Sequence, residues 1–131
     1  MLTALGWEFL DKDGNPVGIG AGALKDVASV KCDKVVPELT ECNFKIACDV
    51  TNPLCGTTGA TYIYGPQKGV TVEMRDALDA DLAHFAEVTK AALGTDFAES
   101  EGAGAAGGLG FAFLSYLKAD LQRVSIWYWM Q

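Results

Sequence analysis

The sequence has few of the residues that build metal sites. It contains a single histidine, His84, and four cysteines, none of which belongs to a C-x-x-C pair. Zinc sites need clustered soft ligands at short spacing, so we expect no metal to be held by this chain. Basic residues are also scarce: 10 Lys and Arg oppose 17 Asp and Glu, giving a net charge of −7. A field of that sign repels nucleic-acid phosphates, so we expect no nucleic-acid partner.

Long hydrophobic segments and targeting signals are missing as well. The longest uncharged run, residues 102–117, has 16 residues and is glycine-rich in its first half, which is too little for a membrane span. The start, MLTALGWEFL, has no Lys or Arg before its apolar residues and no small-residue cleavage site. We therefore expect no membrane contact, a cytoplasmic location and reduced cysteines.

Apolar residues, by contrast, make up 50% of the 131 residues, enough for the core of one domain. Leu5, Trp7 and Phe9 alternate toward one side and predict a strand within residues 2–10. Residues 44–50, FKIACDV, form a short apolar run closed by Thr-Asn-Pro, which predicts a buried strand. Within the loop that follows, only TYIY (residues 61–64) has the pattern of a strand.

The clearest helix is predicted between Thr71, a good N-cap, and Gly94, a natural residue after a helix end. Its apolar stripe at helical spacing consists of Met74, Leu78, Leu82, Phe85 and Leu93. His84 lies beside that stripe and is given a structural role only. A short helix is predicted within GIGAGALKDVASV (residues 18–30) and a second apolar helix in FAFLSYLKADLQ (residues 111–122). Strands that alternate with helices predict a single compact α/β domain.

Three segments are candidates for a functional site, each with a plainer alternative. Asp49 follows the best predicted strand, and Asn52 comes soon after it; together they suit a metal, a hydroxyl or an ammonium, or Asp49 simply caps a turn. YGPQKG (residues 64–69) exposes Lys68 on a tight loop suited to a phosphate or carboxylate, or as an ordinary surface lysine.

The third segment, EGAGAAGGLG (residues 101–110), leads into the second predicted helix. It lacks the Walker A pattern, and no strand precedes it as the dinucleotide fingerprint requires. Glycine-rich backbone at a helix start suits an anion, and it equally suits close helix packing. The two roles are compatible.

In order along the chain, these segments resemble the glycerate kinase family. The matching stretches are ACDVTNPLCG (residues 47–56), GAT (59–61), YGPQKG (64–69), LDADLAHFAEV (78–88) and GAGAAGGLG (102–110), with MLTALGWEFLDKDGNPVG at the start. The similarity covers residues 1–122, with Glu101 standing where the family usually has Pro. Family members are roughly three times as long and have two α/β domains, so the chain resembles the central, inserted domain alone.

The resemblance implies transfer of the ATP γ-phosphoryl group to a hydroxyl of D-glycerate, with Mg²⁺ in the parent enzyme. Phosphoryl transfer depends on positioning and charge neutralisation. Lys68 and Asp49 are the expected catalytic residues, and Asn52, Gln67 and Gly69 the expected substrate-binding residues. Gly104, Gly107 and Gly108 are expected to face an anion. We expect the isolated chain to be inactive and to bind no cofactor tightly. The alternatives are a non-catalytic carboxylate- or phosphate-binding module and a structural fragment that self-associates through the surface facing the missing domain.

The tail, residues 123–131, departs from the family. Three of its last five residues are aromatic, where the resemblance leads us to expect a strand like GIDLVLDA. Read one base earlier, the codons that encode WYWMQ spell Val-Leu-Asp-Ala. We therefore expect a one-base frame shift near Gln122, either in the gene or in its recorded sequence; the alternative is a true aromatic C-terminal strand.

Overall fold

The computed structural model describes residues 1–18, 20–48 and 50–123 of the chain. Its strands are β1 (Glu8–Leu10), β2 (Ser29–Lys31), β3 (Lys45–Cys48) and β4 (Asp120–Arg123). Its α-helices are α1 (Ala60–Tyr64), α2 (Val72–Leu93) and α3 (Leu109–Tyr116). Short 3₁₀ helices cover Leu2–Leu5, Ala21–Asp26, Pro37–Glu41, Pro66–Lys68 and Ala105–Gly107. Helices and strands thus mix in one small α/β fold, as the sequence predicts.

The strands form two separate pairs in the described residues. β1 and β2 are antiparallel, with Phe9 opposite Val30. β3 and β4 are parallel, with Ile46 opposite Leu121, and they bring the middle of the chain against residues that follow α3. Exposed residues alternate with half-buried ones along β3, so this strand is less buried than its apolar sequence predicts.

Helix α2 forms as the sequence predicts, because both of its ends are specified locally. The Thr71 hydroxyl accepts a hydrogen bond from the Met74 N–H at 3.3 Å, and Gly94 ends the helix in the left-handed conformation with φ 74°. Leu82, Phe85 and Leu93 pack against the core as expected, but Met74 is exposed. His84 has the expected structural role, with its Nε2 2.7 Å from the Val27 carbonyl oxygen.

Three segments depart from their predicted structure. Residues 2–10 are a strand only from Glu8, because Leu2–Leu5 form a 3₁₀ helix that Gly6 ends at φ 110°. TYIY is not a strand but most of helix α1. The second helix stops at Tyr116, and the chain resumes at Asp120 as strand β4. The predicted short helix near residue 24 is the 3₁₀ helix Ala21–Asp26.

The core lies between α2, α3 and β1. One cluster contains Trp7 and Tyr116 with the last part of α3, and a second contains Leu54, Ala103 and Phe111. Phe85 of α2 packs against both clusters and joins them. None of the helices in the described part of the chain has the length and apolar character that a membrane span requires.

Candidate active site

The loop that carries Lys68 is a stiff turn directly after α1. Pro66–Lys68 form a single 3₁₀ turn, in which the Lys68 N–H donates to the Gly65 carbonyl at 2.8 Å. Gly69 then reverses the chain at φ 95°, a conformation that favours glycine. Gln67, Lys68 and Gly69, all predicted to be site residues, are exposed on this turn.

The glycine-rich segment packs tightly against the loop around Asn52. The Gly104 N–H donates to the Asn52 carbonyl at 2.9 Å, and a Cβ at position 104 would overlap the Pro53 carbonyl oxygen. The Gly108 N–H donates to the Ala105 carbonyl at 3.2 Å. The N–H groups of Gly104 and Gly108 are therefore used within the chain, and close packing is the role that the structure gives to Gly104.

Lys68 and the glycine-rich turn come together although they are distant in sequence. Ala106, Gly107 and Gly108 have φ values of 53°, 74° and 112°, so three successive residues are left-handed. The Lys68 ammonium lies at this turn, 3.2 Å from where a Cβ of Gly107 would stand. The ion pairs Lys34–Glu8 and Lys90–Asp96 do not involve Lys68, and no ion pair joins Lys68 to a carboxylate in the described part of the chain. A cation over a compact glycine turn can bind a phosphate or carboxylate group.

Asn52 is held in place on both sides of its side chain. Its Oδ1 accepts a hydrogen bond from the Tyr64 hydroxyl at 2.7 Å, and its Nδ2 donates to the Thr58 carbonyl at 2.8 Å. We call Asn52, Tyr64, Lys68, Gly104 and Gly107 the loop cluster. Sequence reasoning missed Tyr64, whose position at the start of YGPQKG was the available signal.

Asp49, the remaining predicted catalytic residue, lies outside the described residues. In the loop after β3, the Gly56 N–H donates a hydrogen bond to the Asp79 carboxylate at 3.0 Å, which ties this loop to α2. Burial, and after it the negative charge of Asp79, raises the pKa of the Cys55 thiol to about 11. Near neutral pH, Cys55 is therefore mostly a protonated thiol and a weak nucleophile.

The described residues contain no group of three or more His, Cys, Asp or Glu side chains arranged to hold a metal ion. In the loop cluster the Asn52 amide and the Tyr64 phenol donate within the chain, which leaves the Lys68 ammonium at the glycine turn as the cluster's charged donor. An ammonium fits the oxygens of a phosphate or a carboxylate, whereas Mg²⁺ prefers carboxylate ligands and water. No Mg²⁺ ligand is therefore assigned among the described residues.

The fold and the loop cluster together define a class of protein: a small α/β unit whose loops bring a lysine ammonium to a glycine-rich turn. Comparison with known proteins then gives the family. A family profile described as the glycerate kinase family matches residues 1–126. The chain is 49% identical to a Bacillus subtilis glycerate kinase over 123 residues, which are 94% of this chain and 32% of that protein. It is 45% identical to an Escherichia coli glycerate 2-kinase, covering 93% of this chain and 32% of that protein.

A solved structure supports the same assignment. The fold superimposes with a TM-score of 0.91 and 40% identity on the crystal structure of a Salmonella typhimurium LT2 protein assigned as glycerate kinase 2, covering 94% of this chain and 33% of that one. The chain belongs to the glycerate kinase family. It spans about a third of the length of the relatives that it matches.

Proposed function

We propose that this chain is part of a cytoplasmic glycerate kinase, which transfers the γ-phosphoryl group of ATP to a hydroxyl of D-glycerate. The observation that carries the proposal is the Lys68 ammonium, which makes no ion pair with a described residue, beside the left-handed turn at Gly107, in a chain of this family. Two relatives named glycerate kinase and glycerate 2-kinase match almost the whole chain. Because the chain covers only a third of their length, we expect the rest of the site to come from the remaining polypeptide.

The roles follow from charge and geometry. Lys68 neutralises the carboxylate of glycerate or a transferring phosphate, and neutralisation of developing charge is the main catalytic need of phosphoryl transfer. Gln67 and Gly69 flank Lys68 on the exposed turn and contact the substrate. Gly107, which adjoins the ammonium, lets an anion approach the backbone closely. Asp49 orients the substrate hydroxyl. ATP brings Mg²⁺, which shields phosphate charge when bound.

Three further residues support this site without offering free hydrogen-bond donors to a ligand: Asn52, Gly104 and Gly108. The N–H groups of both glycines and the Asn52 amide have partners inside the chain. Their contribution is to hold the loops that present Lys68 and Gly107. Substrate contact by Asn52 would require it to give up one of these hydrogen bonds.

A hybrid enzyme tests the proposal. The matching third of the Bacillus subtilis glycerate kinase is replaced by this chain, and ADP release is measured with ATP, Mg²⁺ and D-glycerate, with omission of D-glycerate as the blank. Lys68→Ala should lower kcat/KM about a hundredfold, about 3 kcal/mol of transition-state stabilisation. Lys12→Ala, at an exposed lysine in the turn after β1, is the matched control and should change it less than twofold.

ADP release by a Lys68→Ala hybrid within a few-fold of the unsubstituted hybrid would remove Lys68 from the site.

Binding and self-association of the isolated chain separate the two alternative functions. Calorimetry of the chain with D-glycerate, inorganic phosphate and ATP identifies a binding module if heat is released without turnover. Sedimentation equilibrium identifies a self-associating structural fragment if the chain forms dimers and binds none of the three.

A further inference from the structure

Asn52 connects two loops of the site at once. Its amide carries a donor on one side and an acceptor on the other, and the acceptor side faces the Tyr64 hydroxyl at 2.7 Å. Its main-chain carbonyl accepts from the Gly104 N–H at 2.9 Å. The Tyr64 hydroxyl is thus linked through one residue to the glycine-rich segment.

Tyr64 is also joined rigidly to Lys68. It is the last residue of α1, and the turn that follows contains Pro66 and three main-chain hydrogen bonds to the two residues at its start. The Lys68 and Val70 N–H groups both donate to the Gly65 carbonyl, at 2.8 and 3.0 Å, and the Gly69 N–H donates to Pro66 at 3.3 Å. Little freedom is left between the Tyr64 ring and the backbone of Lys68.

The contacts that link Lys68 to Gly107 therefore form a closed ring. It runs from Lys68 through its turn to Tyr64, across the hydrogen bond to Asn52, and on to Gly104, which lies three residues before Gly107. The Lys68 ammonium beside Gly107 completes the ring. The Tyr64–Asn52 hydrogen bond is the side-chain contact in this ring that a single-atom substitution can remove.

We propose that Tyr64 is a positioning residue for the anion site, whose hydroxyl sets the separation between the Lys68 ammonium and the glycine turn by holding Asn52. The inference rests on the proposed function, since it concerns the presentation of Lys68. The phenol itself contacts no substrate. Its effect on the reaction is exerted entirely through Lys68.

A double-mutant cycle in the hybrid enzyme tests this dependence. Tyr64→Phe removes only the hydroxyl oxygen, and we expect kcat/KM to fall about tenfold, the scale of one lost hydrogen bond. In a Lys68→Ala background the same substitution should change kcat/KM less than twofold, because there is no ammonium left to position. A residue that merely stabilises the fold would cost the same factor in both backgrounds.

The matched control is Tyr62→Phe, on the same helix and also removing one hydroxyl. The Tyr62 hydroxyl donates to Asp76, and its ring lies 4.7 Å below the Arg75 guanidinium, away from Asn52 in the hydrogen-bond network. We expect less than a twofold change in kcat/KM for Tyr62→Phe. An equal effect of the two tyrosine variants, or a Tyr64→Phe effect that persists in full without Lys68, would overturn the positioning role.

Failure of this inference is distinguishable from failure of the proposed function. If the unsubstituted hybrid releases no ADP that depends on D-glycerate, the proposed function is wrong. If that hybrid is active and Lys68→Ala is harmless, Lys68 leaves the site and the positioning role is wrong with it; if Lys68→Ala costs a hundredfold and Tyr64→Phe costs nothing, only the positioning role is wrong. Amide NMR of the chain itself decides the matter where the hybrid has no activity. Tyr64→Phe should shift the Gly107 and Lys68 amide resonances and Tyr62→Phe should not; unmoved resonances in Tyr64→Phe contradict the proposal.

Discussion

The aromatic core and the loop cluster are held together by different forces. In the aromatic core, the rings of Trp7, Phe9, Phe85 and Tyr116 contact one another at centroid distances between 5.6 and 6.2 Å. In the loop cluster, main-chain hydrogen bonds and the absence of side chains at glycines set the geometry. Burial of large rings is non-directional, so shape can vary within limits. Main-chain contacts between loops are directional and leave no room for an added carbon.

The core nevertheless has one directional contact of its own. Thr89 is fully buried, and its hydroxyl lies 2.7 Å from the Tyr116 hydroxyl. These two polar groups satisfy each other in apolar surroundings, where an unpaired hydroxyl is costly. The difference between the two regions is therefore one of degree: the core adds a buried hydroxyl pair to its apolar contacts, whereas linked hydrogen bonds set the geometry of the loops.

The largest expected effect is at Gly104. Gly104→Ala places a Cβ into the Pro53 carbonyl oxygen, and the obstacle is main chain rather than the end of a flexible side chain. We expect a loss of about 3 kcal/mol or more in the free energy of unfolding, at the upper end of overpacking costs. Urea denaturation followed by circular dichroism measures it.

Two other glycines calibrate that result. Gly22→Ala meets no atom within 4 Å and should change stability by less than about 0.5 kcal/mol. Gly107→Ala meets only the Lys68 ammonium but has φ 74°, so the left-handed penalty of about 1–2 kcal/mol places it between them. If Gly104→Ala is as stable as Gly22→Ala, the loops are not in close contact, and the contrast drawn between the loop cluster and the aromatic core is wrong.

The second expected effect is a pH dependence that originates in the core. Burial raises the pKa of Tyr116 to about 12 from 10, although its hydrogen bond with Thr89 acts in the opposite direction. The folded state thus keeps its proton where the unfolded state has lost it. The stabilising contribution is complete below pH 10 and is lost as the pH rises from 10 to 12, on the order of 2 kcal/mol.

The free energy of unfolding is measured for the unsubstituted chain and for Tyr116→Phe at several pH values between 9 and 12. The difference between the two proteins gives the contribution of Tyr116 ionisation. The unsubstituted chain should lose more stability across the range than Tyr116→Phe, because the phenylalanine does not titrate. Parallel curves for the two proteins would show that Tyr116 is not buried as described.

Sequence reasoning succeeded where the structural signal is local. Thr71 and Gly94 define the ends of α2 through hydrogen bonds and backbone conformation within one turn. It failed for residues 61–64, whose alternating Thr, Tyr and Ile favour a strand in isolation, because packing against α2 and the glycine-rich segment selects helix α1. It also missed β4, since the parallel pairing with β3 is a long-range contact that α3 makes possible.

The candidate site was predictable only in part, for the same reason. The residue types of YGPQKG and of the glycine-rich segment indicate anion binding, but nothing in either segment predicts that Lys68 reaches Gly107. The engagement of both sides of the Asn52 amide depends on Thr58 and Tyr64 reaching it through the fold. A sequence shows which hydrogen-bonding and charged groups are present, whereas the partners that bind them are known only from the three-dimensional structure.

A smaller effect is expected from the hydroxyl pair in the core. Thr89→Val keeps the volume close to that of threonine and leaves the Tyr116 hydroxyl without its partner, which should cost about 1–2 kcal/mol. The double variant with Tyr116→Phe should be more stable than the sum of the two single losses predicts, since both polar groups are gone. Additive losses in urea denaturation would mean that the two hydroxyls do not interact.

The smallest expected effect involves no change in stability; it is a difference between the reaction rates of the cysteine thiols. All four cysteines are free, with Cys32 and Cys42 exposed and Cys48 and Cys55 partly buried. In denaturant without reductant, a thiol reagent should titrate four groups; two or fewer would reveal disulfides.

In the native protein at pH 8, Cys55 should react last, because burial restricts access and a pKa of about 11 leaves little thiolate to attack the reagent. Mass spectrometry of peptides at successive times assigns each rate. If Cys55 reacts as fast as Cys32, the loop after β3 opens readily, and the tight contacts of the loop cluster do not persist in solution.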